Sequence, residues 1–510
     1  MKMSQEDYVL GVDIGTTATK VALFDLKGTT VASATKEYKL ITPTALEVEV
    51  EVETLWNVFK EGVRDVLTKS KVEPENVKAL GISSQGETLV PISKNGKSLR
   101  RAIVWLDNRA QEEAKILHKK FDNEKSYMIT GQVKLVPTWP ASKILWIKRH
   151  EPDVSKQVYK YLLVEDYIIW RMTGFFVTEA SLLCSTCYWN IVTKKWWSEM
   201  IDFLGITPEQ LPEIMESGEK IGNILPSAAQ ELGLTVETIV STGALDQACG
   251  TIAVGNIKPG IFTANIGAAL AICATLEKPI FDPKRRVPIH YHAMPDTYMA
   301  HTFTTGGMAL RWFRDTFCET EKSVANLTNM SSYALIDKEV NKIQPGSEGL
   351  VMIPHLQGAM APEANPKAKG VFFGFTLRHK KPHFARSIME AISCTIRRNI
   401  EAFEELAIRV SEIRALGGGT RSRIWNRIIA DLTKKTVVAT SHVEDAACLG
   451  AAMLAGKAAG LFKNLEGAVE DMVSIKERFE PNPKNRRVYD TLYMKYVKLY
   501  ESLVELFEIS

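Results

Sequence analysis

LGVDIGTTATK, residues 10–20, is the most informative part of this chain. Apolar runs flank its centre, which predicts two strands joined by a tight turn. Gly15 lets a phosphate approach the backbone closely, and Thr16 and Thr17 add hydroxyl donors beside backbone N–H groups. Asp13 ends the first strand and is placed to hold a water on Mg²⁺, because hard cations prefer oxygen ligands. The pattern favours a nucleotide-phosphate site, with a plain hairpin turn capped by Asp and Thr as the alternative.

A second stretch repeats this pattern about half a chain later. Residues 265–269 read NIGAA against DIGTT at 13–17, and both lie between two apolar, strand-like runs. The echo predicts a duplicated domain in which each half opens with its own hairpin, with chance similarity as the alternative. Asn256, Pro259 and Gly260 mark a break, so we predict domains at 1–252 and 253–510. Two such hairpins facing each other would clasp the phosphates of one nucleotide.

Length and composition indicate a globular protein of at least two domains. The chain has 510 residues, and single cores stop growing near ~250–300 residues. Its 45% hydrophobic and 24% charged content is ordinary, and strand-like and helix-like segments alternate, which favours the α/β class. A net charge of +3 gives no reason to expect nucleic acid or a membrane as partner.

The sequence also predicts a cytoplasmic protein. No apolar run reaches the ~18–20 residues of a membrane helix, and the first residues lack a signal-peptide pattern. The 7 cysteines are odd in number and scattered, so we expect no disulfide framework. Cys184-x-x-Cys187 has no second ligand pair, which favours two core side chains over zinc or redox use. The sequence leaves a homodimer open.

Polar side chains follow a short buried strand that we predict at 77–83. Gln85 and Glu87 come just past its carboxyl end, where α/β proteins bind ligands, and are suited to bond the hydroxyls of a polyol. Trp105, at the end of the next predicted strand, is suited to stack on the C–H face of a sugar, although a core tryptophan is the plain alternative. Their placement on neighbouring strand ends favours a sugar pocket.

A candidate general base stands in GALDQA, residues 243–248, which follows a predicted strand at 237–241. Phosphoryl transfer needs an acceptor oxygen held in line, a carboxylate to take its proton, and Mg²⁺ to neutralise charge. Asp246 is suited to be that carboxylate. A turn or N-cap aspartate is the alternative.

A glycine-rich loop, LGGGTRS at 416–422, separates a predicted strand from an amphipathic helix. Gly417, Gly418 and Gly419 would let a ligand lie flat against the backbone, and the following helix N-terminus favours anions. The spacing is neither the Walker pattern nor the dinucleotide fingerprint. A plain flexible loop is the alternative to a ligand site.

In this order the motifs resemble the FGGY family of carbohydrate kinases, within the actin/sugar-kinase/Hsp70 superfamily. The match runs from Tyr8 to about Gly460 and rests on GVDIGTT at 11–17, AIVWLDNR at 102–109, DQA at 246–248 and GGGTRS at 417–422. The resemblance implies two duplicated actin-like, ribonuclease H-like domains around a central catalytic cleft. It implies an ATP-dependent, Mg²⁺-requiring sugar kinase whose first domain mainly binds sugar and whose second mainly binds ATP.

The resemblance also implies roles for single residues. Asp13 corresponds to the residue that holds Mg²⁺ through water, and Asp246 corresponds to the catalytic base. The other positions divide into the phosphate turns (Gly15, Thr16, Thr17 and Gly267), the adenosine motif (Gly417, Gly418, Gly419, Ser422 and Asn426) and the sugar site (Gln85, Glu87, Trp105, Asp246 and Gln247).

The second phosphate turn departs from the family, which usually has Gly-Thr-Ser or Gly-Thr-Gly there. Ala268 and Ala269 follow Gly267, so a hydroxyl near the β- and γ-phosphates is missing. The loss of one hydrogen bond to a charged group costs roughly 1.5–3 kcal/mol. We therefore expect weaker ATP affinity or altered phosphate placement.

The sugar-site motif indicates a substrate larger than glycerol. QGET at 85–88 is closest to the glycerol kinase pattern Gln-Arg-Glu-Thr, with Gly86 in place of Arg, and Thr138 stands where glycerol kinases place Tyr. Both changes open space, so a pentulose such as xylulose is the best match, although xylulokinases typically carry Met-His at 86–87. Glycerol, gluconate and the autoinducer-2 sugar stay open. An actin- or Hsp70-like nucleotide switch and a degenerate kinase that senses sugar are the alternatives from other classes.

Overall fold

The computed structural model describes residues 6–441 and 444–509. In the first half of the chain, the strands are β1 (Tyr8–Ile14), β2 (Ala18–Asp25), β3 (Thr30–Glu37), β4 (Glu49–Val50), β5 (Val77–Ser84), β6 (Val90–Ile92), β7 (Ala102–Ile103), β8 (Lys160–Leu162), β9 (Val177–Glu179), β10 (Trp189–Asn190), β11 (Lys195–Trp196), β12 (Glu213–Met215), β13 (Lys220–Asn223), β14 (Ile239–Ser241) and β15 (Ala244–Leu245). The helices are α1 (Val52–Ser70), α2 (Gln111–Lys120), α3 (Asn123–Thr130), α4 (Pro140–His150), α5 (Pro152–Gln157), α6 (Val164–Thr173), α7 (Ala180–Leu183), α8 (Ser198–Leu204), α9 (Pro226–Leu232) and α10 (Asp246–Ala253).

In the second half, the strands are β16 (Gly260–Ile266), β17 (Ala269–Leu276), β18 (Ile289–Tyr291), β19 (Tyr298–Thr305), β20 (Val351–Pro354), β21 (Gly370–Phe373), β22 (Val410–Leu416), β23 (Thr436–Thr440) and β24 (Ile475–Phe479). The helices are α11 (Met308–Phe317), α12 (Glu319–Leu327), α13 (Ser332–Val340), α14 (Lys381–Glu405), α15 (Arg423–Thr433), α16 (Ala446–Ala458), α17 (Leu465–Met472) and α18 (Arg486–Ile509).

A seven-stranded sheet organises the first half, in the order β13-β14-β5-β1-β2-β3, with β15 beside β5. Strands β1, β2 and β3 form an antiparallel meander, and β5 and β14 run parallel to β1. The predicted opening hairpin is confirmed: Asp13 pairs with Lys20, and the amide of Gly15 donates to the carbonyl of Ala18 at 3.0 Å.

The second half repeats this arrangement in another seven-stranded sheet, in the order β18-β19-β17-β16-β22-β23-β24. Strands β16, β17 and β19 form an antiparallel meander, and β22 and β23 run parallel to β16. Each sheet also carries an antiparallel strand next to its last parallel strand, β13 in the first and β24 in the second. The α/β class and the duplication that the pentapeptide echo predicts are therefore confirmed.

Helices α10 and α16 lie between the two halves, and the backbone of α16 closely approaches the backbones of β1 and α10. A Cβ on Gly11 of β1 would lie 1.8 Å from the carbonyl oxygen of Cys448, and a Cβ on Gly450 would lie 2.1 Å from that of Cys249. Such approaches require glycine, because a side chain of any size would separate the elements. The close packing fixes the sheet that carries β1 against a helix of the second half.

The structure also tests the predictions for helix α1 and for the cysteines. Helix α1 buries one apolar face, including Leu55, Trp56, Phe59 and Val63, as its helical spacing predicts. All 7 cysteines are free and buried, so the prediction of no disulfide framework is confirmed. Over residues 6–441 and 444–509, none of the helices has the length and apolar content needed to cross a membrane.

Candidate active site

The predicted site residues meet where the parallel strands of the first sheet end. Ile14 of β1 pairs with Ser84 of β5, and Leu245 of β15 pairs with the same Ser84. The side chains that follow these strand ends therefore share one edge of the sheet, which is the usual ligand position in open α/β sheets. This edge brings Asp13 and Asp246 together.

Asp13 is a partly buried carboxylate at the end of β1. Its Oδ1 accepts a hydrogen bond from the hydroxyl of Ser83 at 2.9 Å. Burial raises the pKa of Asp13 to about 6, while the Ser83 hydroxyl and the charge of Lys20 act in the opposite direction. An oxygen donor at this position suits a hard cation, and a bound divalent cation would return the pKa toward its ordinary value.

Asp246 begins helix α10 directly after β15. The amide of Gln247 donates to its Oδ1 at 2.6 Å. Burial raises the pKa of Asp246 to about 7, and the negative charges of Asp13 and Glu87 add to the effect. A carboxylate with a pKa near neutrality is well matched to accept a proton from a hydroxyl at working pH.

The first phosphate turn is held from behind by side chains. The carbonyl of Gly15 accepts hydrogen bonds from the hydroxyl of Tyr38 and from Nε2 of Gln85, the latter at 2.9 Å. The indole N–H of Trp105 donates to the hydroxyl oxygen of Thr16 at 2.8 Å, whereas Thr17 is exposed. Trp105 therefore joins the predicted sugar site to the predicted phosphate turn.

Gln85 is 5% exposed, and its side-chain amide is occupied by protein. Its Oε1 accepts from the Thr88 hydroxyl at 2.8 Å, and its Nε2 lies 3.3 Å from the Tyr38 hydroxyl as well as on Gly15. The side-chain amide of Gln85 thus supports the predicted phosphate turn, and its part in substrate binding stays a prediction.

The prediction that Glu87 and Trp105 follow neighbouring strands of one sheet is wrong, although the amide of Trp105 donates to the hydroxyl of Thr88, the residue after Glu87, at 3.1 Å. Strand β7 ends at Ile103 and pairs with β4 in a separate two-stranded sheet, so Trp105 lies in the turn beyond it. Glu87 is partly buried with a φ of 57°. Burial raises the pKa of its carboxyl, and the Ser185 hydroxyl and the charge of Lys143 lower it.

Lys143, for which no role was predicted, contacts the backbone of the predicted sugar site. It is fully buried in α4, and its ammonium donates to the carbonyl of Glu87 at 2.9 Å and to that of Val104 at 3.0 Å. One side chain thus fixes the backbone of Glu87 and the residue before Trp105. A lysine at a buried position of an otherwise apolar helix face was the available signal, because such a charge needs partners.

The second phosphate turn is pinned to the start of α11. The carbonyls of Gly267 and Ala268 accept from the amides of Gly307 and Met308 at 2.8 and 3.0 Å. These two hydrogen bonds hold the turn backbone in the absence of the hydroxyls typical of the family, and Gly267, Ala268 and Ala269 are exposed. The Asn265 amide lies 3.5 Å from Oε1 of Gln247 on α10. Gln247, predicted to bind substrate, therefore lies beside the second turn.

The glycine-rich loop adjoins this turn because Leu416 of β22 pairs with Asn265 of β16. Gly417 has a φ of 83°, and a Cβ there would lie 2.5 Å from Oδ1 of Asn265. Gly418 has open space around its Cβ position, whereas a Cβ on Gly419 would collide with Ile266. The loop is thus packed at both ends and open in its middle.

Two predicted nucleotide-binding side chains shape this loop from the protein side. The Ser422 hydroxyl caps α15 by accepting from the amide of Trp425 at 3.2 Å. Asn426 is 1% exposed and donates from Nδ2 to the carbonyl of Thr420 at 2.7 Å. These contacts give both residues a structural role in the loop.

Comparison with known proteins assigns the chain to a family. Models of the N-terminal and C-terminal domains of the FGGY family of carbohydrate kinases match residues 8–253 and 267–459. The chain is 31% identical to the xylulose kinase of Bacillus subtilis (strain 168), over 97% of this chain and 96% of the relative. It is also 31% identical to the gluconokinase of that organism, over 96% of this chain and 95% of the relative.

Solved structures give the same result. A ligand-bound xylulose kinase from Lactobacillus acidophilus superposes with a TM-score of 0.88 at 27% identity, covering 99% of this chain and 100% of that one. The gluconate kinase from the same organism gives the same values. The fold and the site together define an ATP-dependent sugar kinase. The chain belongs to the FGGY family of carbohydrate kinases.

Proposed function

We propose that this kinase transfers the γ-phosphate of MgATP to a hydroxyl of a neutral ketose or polyol, with D-xylulose as the first candidate. The observation that carries the proposal is the position of Asp246. Its carboxylate lies at the sheet edge shared with Asp13, has a pKa of about 7, and is followed by Gln247 beside the second phosphate turn. A base at this junction is suited to deprotonate a sugar hydroxyl that faces a γ-phosphate.

The positions of the side chains support a division of roles between the two halves. Residues 1–252 supply Glu87, Trp105 and Asp246 for the sugar and the hairpin at 14–18 for the phosphates. Residues 253–510 supply the second turn and the loop at 417–419 for the nucleotide. Asp13 would hold Mg²⁺ through water, and the cation would neutralise charge on the phosphates.

Asp246 takes the proton from the attacking hydroxyl as the oxygen–phosphorus bond forms and the bond to the ADP oxygen breaks. Phosphoryl transfer asks little covalent chemistry of the protein, so positioning and charge supply most of the catalysis. The exposed Thr17 would contact the transferred group, and Gly15, whose backbone polar groups are hydrogen-bonded within the protein, would let that group approach the turn closely.

The charge of the site favours a neutral substrate over a sugar acid. Asp13, Glu87 and Asp246 are three carboxylates whose burial raises their pKa values, and the charges of Asp13 and Glu87 act on Asp246. The ammonium of Lys143 is committed to two backbone carbonyls. A substrate carboxylate would add a further negative charge to this group, which disfavours gluconate.

A coupled ADP-release assay over D-xylulose, D-ribulose, xylitol, glycerol and gluconate tests the proposal. We expect the highest kcat/KM with a neutral five-carbon substrate and strict dependence on Mg²⁺. A preference for gluconate would contradict the charge argument, and a preference for glycerol would contradict the size argument. ADP release that no sugar stimulates would instead favour a nucleotide switch or a sugar sensor.

A further inference from the structure

A buried polar cluster, formed by Glu165, Glu179 and Ser181 and here called the cradle, packs against residues 243–246, the segment that ends in Asp246. Glu165 of α6 and Glu179 at the end of β9 are both 0% exposed. Neither side chain belongs to the sugar or nucleotide positions described above. Two buried carboxyls are costly to keep unless they make specific hydrogen bonds, so their partners indicate what they do.

Both carboxyls act on the backbone of the segment. Oε1 of Glu165 accepts from the amide of Gly243 at 2.8 Å. The hydroxyl oxygen of Ser181 accepts from the amide of Leu245 at 2.9 Å, and the same hydroxyl donates to Oε1 of Glu179 at 2.7 Å. The two amides that flank Ala244 are therefore both held from one side.

Glu179 is itself fixed by four hydrogen bonds. It accepts from the amide and the hydroxyl of Ser181, from the amide of Leu182 and from the hydroxyl of Ser217, each at 2.7 Å. Burial raises the pKa of the Glu179 carboxyl, and these four hydrogen bonds act in the opposite direction. Burial and the charge of Glu179 raise the pKa of Glu165 well above its ordinary value, which favours a neutral Glu165.

The opposite side of the segment is closed by strand β5. Ala244 pairs with Ser83, and a Cβ on Gly243 would lie 1.5 Å from the carbonyl oxygen of Ile82. The segment is thus held between β5 on one side and the cradle on the other. Asp246 directly follows Leu245, whose amide is the last of the segment to be hydrogen-bonded to the cradle.

We propose that Ser181, held by Glu179, is a positioning residue that sets the place of the Asp246 carboxylate through the amide of Leu245. The inference rests on the proposed role of Asp246 as general base. Displacement of a catalytic group by about 1 Å costs on the order of 10²-fold in rate, so a single backbone hydrogen bond at this point has a measurable effect.

The chain offers a matched pair of variants. Ser181→Ala and Ser217→Ala each remove one hydroxyl from Glu179, but only Ser181 contacts the catalytic segment. With MgATP and whichever sugar of the panel the wild type phosphorylates best, we expect Ser181→Ala to lower kcat by about 10- to 100-fold. KM for the sugar and for ATP should stay within threefold, and Ser217→Ala should keep kcat within threefold.

A double-mutant cycle separates positioning from general stability. In an Asp246→Asn background, Ser181→Ala should leave the residual rate unchanged, because the carboxylate that it positions is gone. Equal kcat in Ser181→Ala and Ser217→Ala, or an undiminished effect of Ser181→Ala in that background, would overturn the proposal.

Folding is checked by thermal unfolding, and Ser181→Cys, which keeps the size of the side chain but is only a weak hydrogen-bonding group, is used if the alanine variant does not fold. If neither folded, the hydroxyl would serve stability and the proposal would fail. The proposed function fails separately, namely when the wild type phosphorylates no sugar or when Asp246→Asn retains full turnover.

Discussion

Replacing Gly243 with alanine tests how tightly the catalytic segment is placed. The added Cβ would lie 1.5 Å from the carbonyl oxygen of Ile82 and 2.5 Å from its carbonyl carbon. Cβ atoms essentially never approach other atoms within 3.0 Å, so the segment must move away from β5 by at least about 1.5 Å. The obstacle is backbone, which cannot rotate aside as a side chain does. Asp246, three residues on, moves with the segment.

A displacement of this size predicts a loss of about 100-fold or more in kcat, since about 1 Å already costs on the order of 10²-fold. Gly222→Ala in β13 of the same sheet is the matched control, because its Cβ would lie 3.6 Å from the Phe175 ring, an ordinary contact. Coupled ADP release at saturating MgATP and sugar measures the effect, and thermal unfolding verifies the fold. A Gly243→Ala enzyme with kcat within threefold of wild type would refute the reasoning.

Three further perturbations follow from the site. Burial raises the pKa of Asp246 to about 7, so the carboxylate is mostly protonated below that pH. The value of kcat/KM at pH 6 should therefore be about a tenth of its value at pH 8. A flat profile between pH 6 and pH 8 would exclude Asp246 as the general base. Lys143→Met should raise the sugar KM at least tenfold and leave the ATP KM unchanged, because it removes the hydrogen bonds that hold the carbonyls of Glu87 and Val104 at the predicted sugar site. Lys148→Met is the control, since Lys148 is on the same helix and donates to the Gly205 carbonyl. Equal sugar KM values in the two variants would contradict this prediction. Ala268→Thr restores a hydroxyl at an exposed, pinned turn and should lower the ATP KM about tenfold, the equivalent of ~1.4 kcal/mol; an unchanged ATP KM would show that the missing hydroxyl has no role.

Local patterns predicted the strands, the hairpins and the order of the motifs. The apolar runs around Asp13 and Asn265 are contiguous in sequence, and their alternation with polar turns is enough to define two hairpins. The glycines at 417–419 were likewise visible as a break between a strand and a helix. These features depend on neighbours along the chain, which a single sequence displays.

The roles of individual side chains were harder to predict, because they depend on contacts across long sequence separations. Gln85 resembles a ligand residue in the motif, yet its amide reaches back to Gly15 and Tyr38. Lys143 acts on carbonyls in two other loops, and Ser181 acts on an amide of β15. The residues that neighbour Gln85, Lys143 and Ser181 in sequence do not indicate which distant backbone groups these side chains contact.

Ser422 and Asn426 are a further case in which the sequence alone does not distinguish a structural role from a binding role. Ser422 and Asn426 match the adenosine motif, but their side chains bond to the backbone at 420–425. Serine before a helix is a common N-cap, so the same residue fits a structural or a binding role in sequence. Their part in nucleotide binding stays a prediction, as do those of the three loop glycines.

The most direct measurement of the central claim is turnover and sugar binding of Asp246→Asn side by side. The substitution keeps the shape of the side chain and removes its capacity to take a proton. We predict that kcat falls by about 10²- to 10⁴-fold, while the sugar Kd measured by calorimetry stays within threefold of wild type. Retention of kcat within tenfold in the folded variant would contradict the assignment of Asp246 as the general base of this kinase.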